Sequence, residues 1–127
     1  MANLQETTIS GSVTHKEGTV ATAGTTLTLD LSTGSSFEVD MSSFINDIDT
    51  LTVLNKTDTN HNRSFLLQVT QQEDKLELLW GSINDVKWPG GAGPILTTTN
   101  DKKDIYSFTT WDNGTTWYAR IIGQNYQ

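Results

Sequence analysis

The apolar residues of this chain recur with a period of two, and this alternation constrains the fold more than any other feature. Within residues 25–31, Leu27, Leu29 and Leu31 alternate with polar residues. Such alternation is typical of a β-strand with one buried and one solvated face. Further strand-like runs occupy residues 37–41, 51–54, 65–69, 75–80, 105–110 and 116–122. The sequence therefore predicts an all-β fold, an antiparallel β-sandwich of roughly eight to ten strands that can take the form of a jelly roll.

Clusters of turn-forming residues separate these runs. Residues 32–36, Ser-Thr-Gly-Ser-Ser, join two runs by a short polar stretch and predict a hairpin. Asp112-Asn113-Gly114 lies between the last two runs, and Asn-Gly is a strong hairpin signal. Residues 42–48 predict a single helical turn, with Ser42 or Ser43 as its N-terminal cap.

The length of the chain, 127 residues, is that of one domain. We therefore expect a single β-sandwich domain over residues 1–127, in which residues 1–6 form a flexible N-terminal arm. The chain has no cysteine, and its first twenty residues lack the apolar stretch of a signal peptide. No run approaches the roughly 18 apolar residues of a membrane span. We therefore predict synthesis in the cytoplasm without an export signal.

The charge of the chain argues against two classes of partner. Eight basic residues stand against fifteen acidic ones, which gives a formal net charge of −7. A nucleic-acid-binding domain needs a basic stripe to neutralise phosphates, and the Lys102-Lys103 pair is flanked by Asp101 and Asp104. The same charge disfavours adsorption to anionic membranes. We expect neither a nucleic acid nor a membrane as partner.

The sequence offers no recognisable catalytic or metal-binding set. His15 and His61 lie in polar stretches and have no partner at the spacing of a metal site, and both are interpreted as exposed loop histidines. Oxygen ligands for calcium occur at Asp47/Asp49 and at Asp112/Asn113, but neither pair matches an EF-hand loop. A hydrolase would need two carboxylates about 5–9 Å apart in a cleft. We predict no enzymatic activity, no catalytic residue, no cofactor and no metal.

Aromatic residues are the remaining candidates for a functional surface. They can serve as interface anchors, as stacking faces for sugar rings, or as core residues, and the sequence leaves these alternatives open. Alternation after Gly114 places Trp117, Ala119 and Ile121 on one face of a strand, and Tyr118, Arg120 and Ile122 on the other. The candidate interface or ligand-stacking residues are Trp88, Trp111, Trp117, Tyr118 and Tyr126.

The last third of the chain also carries a set of residues with specific backbone roles. Gly90, Gly91 and Gly93 allow positive φ in a wide turn, and Pro94, which has no N–H, is predicted at the start or the edge of a strand. Asp104 is predicted to cap the turn before the strand at residues 105–110. If Phe108 and Trp117 face the same side of the final hairpin, they are predicted to form a cross-strand aromatic pair. The residues of this fold signature are Pro89, Gly90, Gly91, Pro94, Asp104, Asp112, Asn113 and Gly114.

The order of these residues resembles a C-terminal module of bacteriophage virion proteins, chiefly tail-fibre and other surface structural proteins. The matching segments are residues 86–91 (VKWPGG), 94–97 (PILT), 104–108 (DIYSF), 112–118 (DNGTTWY) and 123–126 (GQNY). We accordingly treat residues 86–127 as a virion-like C-terminal hairpin module, while residues 1–85 carry no such resemblance.

The resemblance implies a non-enzymatic structural protein on the surface of a phage particle, either a capsid decoration or a fibre or knob component. It implies other virion proteins as partners and self-association, with a homotrimer expected by analogy. The alternative is a receptor- or carbohydrate-binding module of a tail fibre that recognises a host-surface glycan. Both alternatives place the protein on the virion.

Overall fold

Eight β-strands form the described part of the chain in the computed structural model, which describes residues 16–55, 62–73 and 75–127. Three short 3-10 turns lie between strands, at Met41–Ser43, Trp80–Ser82 and Pro89–Gly91. The strands are β1 (Thr19–Ala23), β2 (Thr26–Asp30), β3 (Ser36–Asp40), β4 (Thr50–Leu54), β5 (Arg63–Thr70), β6 (Val86–Lys87), β7 (Lys103–Thr110) and β8 (Trp117–Tyr126).

The strands form two sheets that enclose one hydrophobic core. The smaller sheet has the order β1-β2-β4, and the larger sheet has the order β3-β5-β7-β8-β6. Buried residues of both sheets belong to one continuous cluster. The predicted all-β sandwich is thereby confirmed.

The sheets are mixed, which corrects the expectation of purely antiparallel pairing. β1–β2, β5–β7 and β7–β8 are antiparallel, whereas β2–β4, β3–β5 and β6–β8 are parallel. The chain crosses from one sheet to the other after β2, after β3 and after β4. Strands that return to a sheet after such a crossing run alongside strands of the same direction. Local alternation reports which face is buried and carries no signal for strand direction.

Strand β2 shows how the sequence pattern produces the core. Leu27 and Leu29 have no exposed surface, and Leu31 follows directly with 4% exposure. The polar residues between them are only partly buried, so the predicted single apolar face is confirmed. Burial of a leucine side chain contributes about 1.5–3 kcal/mol relative to leaving it in water.

Aromatic rings fill the inner face of the five-stranded sheet. The Phe65 ring stacks on the Phe108 ring with a centroid separation of 4.7 Å, and Trp117 meets Phe65 edge-on at 4.9 Å. The strand register places Phe108 opposite Ala119. The predicted direct cross-strand pair of Phe108 with Trp117 is therefore replaced by a contact of both rings with Phe65, which belongs to β5.

Residues 75–80 were predicted to form a strand, and the structure corrects this. Leu78 forms only an isolated bridge with Ile48, and Trp80 begins a 3-10 turn. Both side chains are nevertheless buried, at 4% and 5% exposure. An extended segment that lies against a core buries alternate side chains without joining a ladder, so it produces the same sequence pattern as a strand.

Two turn predictions are also corrected. Residues 32–36 do not close a hairpin, because β2 and β3 belong to different sheets. The helical turn expected within residues 42–48 lies earlier, as the 3-10 turn Met41–Ser43, and residues 44–48 are not helical. The cap of this turn is Asp40 rather than Ser42 or Ser43. The Asp40 carboxylate accepts a hydrogen bond from the Ser42 backbone N–H at 2.9 Å.

Several predictions fall outside the described residues. They concern the N-terminal arm at residues 1–6 and the two histidines, His15 and His61. Among the residues that the structure describes, no helix has the length and apolar character needed to cross a bilayer.

Candidate functional site

The C-terminal hairpin positions the candidate site. β7 and β8 pair antiparallel across a loop at residues 111–116, which confirms the predicted hairpin. Asn113 and Gly114 both adopt positive φ, at 58° and 86°. The buried Thr110 hydroxyl accepts a hydrogen bond from the Gly114 N–H at 2.8 Å and donates to Asp112 at 2.9 Å. Asp112 in turn accepts from the Thr116 N–H at 2.8 Å. Its side chain therefore holds the loop together.

The ionisation of Asp112 follows from this role. Hydrogen bonds from the Thr116 backbone and from Thr110 favour the charged carboxylate and lower the pKa of Asp112 below its ordinary value.

The carboxylates of the other candidate calcium pair, Asp47 and Asp49, also accept hydrogen bonds from the protein. Asp47 accepts from the Glu77 N–H and Asp49 from the Thr50 hydroxyl, each at 2.9 Å. The described residues contain no group of three or more metal-ligating side chains.

A buried carboxylate fastens the end of β8 to β7. Asp104 was predicted to cap a turn, but it lies within β7 with no exposed surface. It accepts hydrogen bonds from the Thr97 N–H (2.8 Å), the Asn125 N–H (2.9 Å), the Gln124 side-chain amide (2.9 Å) and the Tyr106 hydroxyl (3.0 Å). Burial opposes ionisation, but the bonds from Thr97, Asn125 and Gln124 outweigh it, so the pKa of Asp104 lies below its ordinary value.

The turn that follows Trp88 is built as predicted at two of its glycines. Gly90 and Gly91 adopt positive φ, at 76° and 87°. Gly93 does not adopt positive φ; its lack of a side chain instead lets the backbone pass close to Trp80 and Trp88. A Cβ placed on Gly93 would lie 2.5 Å from Trp80 Cβ and 3.1 Å from Trp88 Nε1. Pro94 was predicted at the start or the edge of a strand, but it lies in an irregular segment between the turn and β7.

The structure separates the five candidate aromatic residues into two groups. Trp88 and Trp117 are buried at 8% and 2% exposure and belong to the core. Trp111, Tyr118 and Tyr126 are exposed at 68%, 53% and 44%. Of these three, Tyr126 packs its ring over Gly123, where any Cβ would overlap with it.

The two buried tryptophans near the turn share a packing arrangement. Trp88 meets Trp80 edge-on at 5.0 Å, and both rings meet Tyr106 edge-on at 5.6–5.7 Å. The indole N–H groups of Trp80 and Trp88 have no conventional hydrogen-bond acceptor among the described residues. Edge-to-face packing directs the positive rim of one ring at the negative face of another, which offsets part of that loss.

The two remaining exposed rings border a groove on the outer face of the five-stranded sheet, which we call the outer groove. It is an open concavity of about 520 Å³. Its lining contains two exposed aromatic rings, three serine or threonine hydroxyls, one cation and no carboxylate, while the ring of Phe65 is buried in the core. The lining residues are Ser64, Phe65, Leu66, Pro89, Ser107, Thr109, Trp111, Tyr118, Ala119, Arg120 and Ile122.

Strand register brings the polar residues of the outer groove together in two rows. Tyr118 lies opposite Thr109, which lies opposite Ser64 on β5, and the two hydroxyls are hydrogen-bonded at 2.9 Å. In the next row, Arg120 lies opposite Ser107 and donates from Nε to its hydroxyl at 3.4 Å. The site is therefore assembled from three adjacent strands.

Sequence reasoning placed Tyr118, Arg120 and Ile122 on one face of a strand, and all three side chains are exposed. Ile121 was predicted to share the other face with Trp117 and Ala119, but it is 44% exposed, so burial alternates along β8 only as far as Arg120.

Sequence reasoning did not identify Ser64, Ser107 or Thr109 as site residues. Alternation along β7 could have placed Ser107 and Thr109 on its solvated face. No signal in the sequence places Ser64 next to them, because it belongs to β5 and its partner Thr109 on β7 lies 45 residues further along the chain.

Comparison with known proteins gives no further assignment. No protein-family model, no curated protein and no solved structure matches the chain significantly.

Proposed function

We propose that the chain is a non-enzymatic structural protein displayed on the surface of a bacteriophage particle, as a capsid decoration or as a fibre or knob component. The likeness of residues 86–126 to a module of virion proteins motivates the assignment to a particle. The geometry of the same segment supports a role in presenting a surface to a partner.

The observation that carries the proposal is the contrast between Trp117 and Tyr118. Neighbouring residues of β8 point to opposite faces, so that Trp117 is held in the core at 2% exposure while Tyr118 is 53% exposed. A well-packed scaffold thus holds an aromatic surface in water, together with Trp111 at 68% exposure. Exposed rings on a rigid element are typical of a surface that meets a partner.

The partners in this proposal are other virion proteins and further copies of the chain. A homotrimer is proposed by analogy with particle-surface proteins. Sedimentation equilibrium of the purified chain tests this state. A species of about three times the monomer mass of 14.0 kDa is expected, and a single monomeric species across the concentration range would refute self-association.

Localisation on purified particles tests the assignment to a virion. Particles from the strain that encodes the chain are banded on a density gradient and analysed by mass spectrometry and by immunogold labelling. We expect the chain to band with the particles and to be labelled without disruption of the particle. A chain that stays in the soluble fraction would overturn the proposal.

Recognition of a host-surface glycan is the second candidate function. It is favoured by the composition of the outer groove, which sets Trp111 and Tyr118 beside the hydroxyls of Ser64, Ser107 and Thr109. An interface made for a protein partner has an apolar centre with charged groups at its rim. A saccharide, in contrast, presents both apolar ring faces and many hydroxyl groups.

A further inference from the structure

We propose that the outer groove binds a saccharide that carries a carboxylate, such as a uronic acid or sialic acid residue of a glycan. This inference rests on the recognition role proposed above, and it names the chemistry of the ligand. It does not depend on where the protein is located.

The rings provide the apolar part of the site. Tyr118 is 53% exposed and Trp111 is 68% exposed, although both belong to a hairpin whose other face is packed against the core. A pyranose ring offers a face of C–H groups that covers such a ring and removes apolar area from water. Tyr118 lies on β8 between β7 and β6, so its backbone is already fixed and little conformational entropy is lost on binding.

The hydroxyl groups provide neutral polar partners. Ser64 and Thr109 share one hydrogen bond of 2.9 Å, and Ser107 accepts a long bond of 3.4 Å from Arg120. Each hydroxyl has one donor and two acceptor positions, so all three retain capacity for a ligand. Sugar hydroxyls both donate and accept hydrogen bonds, so they can pair with these three hydroxyls, whereas an aliphatic side chain cannot.

Charge selects an acidic ligand. The chain has a formal net charge of −7, yet the outer groove contains Arg120 and no aspartate or glutamate. The bond to Ser107 uses Nε of Arg120, and among the described residues no hydrogen bond uses its terminal guanidinium nitrogens. A guanidinium binds a carboxylate through two parallel hydrogen bonds, which gives both strength and orientation. A local cation in an acidic protein therefore favours an anionic saccharide over its neutral counterpart.

Calorimetric titration of the whole chain with matched sugars tests the proposal. The acidic probes are trigalacturonate and sialyllactose, and their neutral counterparts are the methyl ester of trigalacturonate and lactose. We expect each acidic sugar to bind at least about tenfold more tightly than its neutral counterpart, a factor that corresponds to about 1.4 kcal/mol. Arg120→Gln is expected to abolish this preference, and Tyr118→Ala to weaken binding of both members of a pair about tenfold or more.

Two matched variants control for unspecific effects. Tyr126→Ala removes an exposed ring outside the outer groove, and Lys75→Gln removes an exposed cation outside it. Both should bind the acidic sugars like the parent chain. Thermal unfolding establishes whether each variant is folded. If Tyr118→Ala is unfolded, Tyr118→Ser replaces it, and if Arg120→Gln is unfolded, Arg120→Lys replaces it. Arg120→Lys keeps the charge but loses the bidentate geometry, so it should retain part of the preference.

Three outcomes would overturn the proposal. The first is the absence of saturable binding by either acidic sugar. The second is equal affinity in the parent chain, Arg120→Gln and Tyr118→Ala. The third is an Arg120-dependent affinity for polyglutamate that equals the affinity for the sugars, because the groove would then be a contact surface for acidic peptides. A chain that bands with particles and yet binds no acidic sugar would refute this inference alone, and the reverse result would refute only the virion assignment.

Discussion

The hydroxyl of Tyr106 donates a hydrogen bond to Oδ2 of Asp104 at 3.0 Å, and neither side chain has any exposed surface. Burial, followed by the charge of Asp104, raises the pKa of Tyr106 far above its ordinary value, so the hydroxyl stays protonated and remains a donor. The same carboxylate holds Gln124 and Asn125 near the end of β8. This network therefore joins β7 to the end of β8, the strand that carries Tyr118 and Arg120.

Asp104→Asn is expected to destabilise the chain by about 3 kcal/mol, because an amide turns an NH₂ group toward donors that need an acceptor. Tyr106→Phe removes one of four donors and is expected to cost about 1 kcal/mol. Urea denaturation followed by tryptophan fluorescence measures both free energies of unfolding. Equal stability of Asp104→Asn and the parent chain would show that the Asp104 carboxylate does not stabilise the attachment of β8 to β7.

The contribution of Asp104 should depend on pH in one direction. Its folded-state pKa is lowered, whereas an aspartate in the unfolded chain titrates near about 3.9. The stabilisation is therefore complete above about pH 5 and is lost as the pH falls through the folded-state pKa. We expect the difference in unfolding free energy between the parent chain and Asp104→Asn to be constant from neutral pH down to about pH 5 and to shrink below about pH 4. A difference that stays undiminished at about pH 2 would contradict this.

Gly93→Ala is expected to destabilise the core, because its Cβ would lie 2.5 Å from Trp80 Cβ. Displacement of the two packed indoles costs about 1–3 kcal/mol. Gly81→Ala is the matched control, since nothing lies within 4 Å of a Cβ at that position. Its stability should stay within about 0.5 kcal/mol of the parent chain. Thermal and urea unfolding measure both, and equal effects at the two glycines would argue against the close approach.

Thr110→Val tests the hydrogen bonds that shape the hairpin loop. The substitution keeps the shape of the side chain but leaves the buried Gly114 N–H without its acceptor, which is expected to cost about 1–3 kcal/mol. Thr109→Val, one residue earlier on the outer face, is the control. It loses a solvent-exposed hydrogen bond to Ser64 that water can replace, so its stability should stay within about 0.5 kcal/mol of the parent chain. Amide hydrogen exchange should accelerate at Gly114 only in Thr110→Val. Unchanged exchange at Gly114 would contradict the proposed role of the hydroxyl.

The sequence predicts well those elements that depend only on short stretches of neighbouring residues. Leu27 and Leu29 alternate with threonines, and the Asn113-Gly114 pair marks a turn, so β2 and the final hairpin follow from short stretches of chain. Residues 75–80 carry the same alternation, and Leu78 and Trp80 are buried like these leucines, yet the segment forms only an isolated bridge at Leu78. Whether an extended segment finds a pairing partner depends on distant strands, and no local pattern records this.

The candidate site is predictable only in part for the same reason. Tyr118 and Arg120 share a face of one strand, and alternation alone places them together. Ser64 joins them through the pairing of β5 with β7, which has no local signal. Asp104 is a charged residue in a strand, and a charge is normally read as solvated. Its burial depends on donors from residues 97, 124 and 125, and their convergence is a property of the folded chain.

The contrast between Trp111 and Trp117 gives a direct test of which rings belong to the core. Trp117→Ala removes a ring that contacts Phe65 at 4.9 Å, and the cavity is expected to cost about 3–5 kcal/mol. Trp111→Ala removes a ring that is 68% exposed and should change stability by no more than about 0.5 kcal/mol. Iodide quenching provides an independent readout, because the parent chain should contain one readily quenched indole that Trp111→Ala removes. A loss of several kcal/mol in Trp111→Ala would place that ring in the core and leave Tyr118 as the only exposed ring of the outer groove.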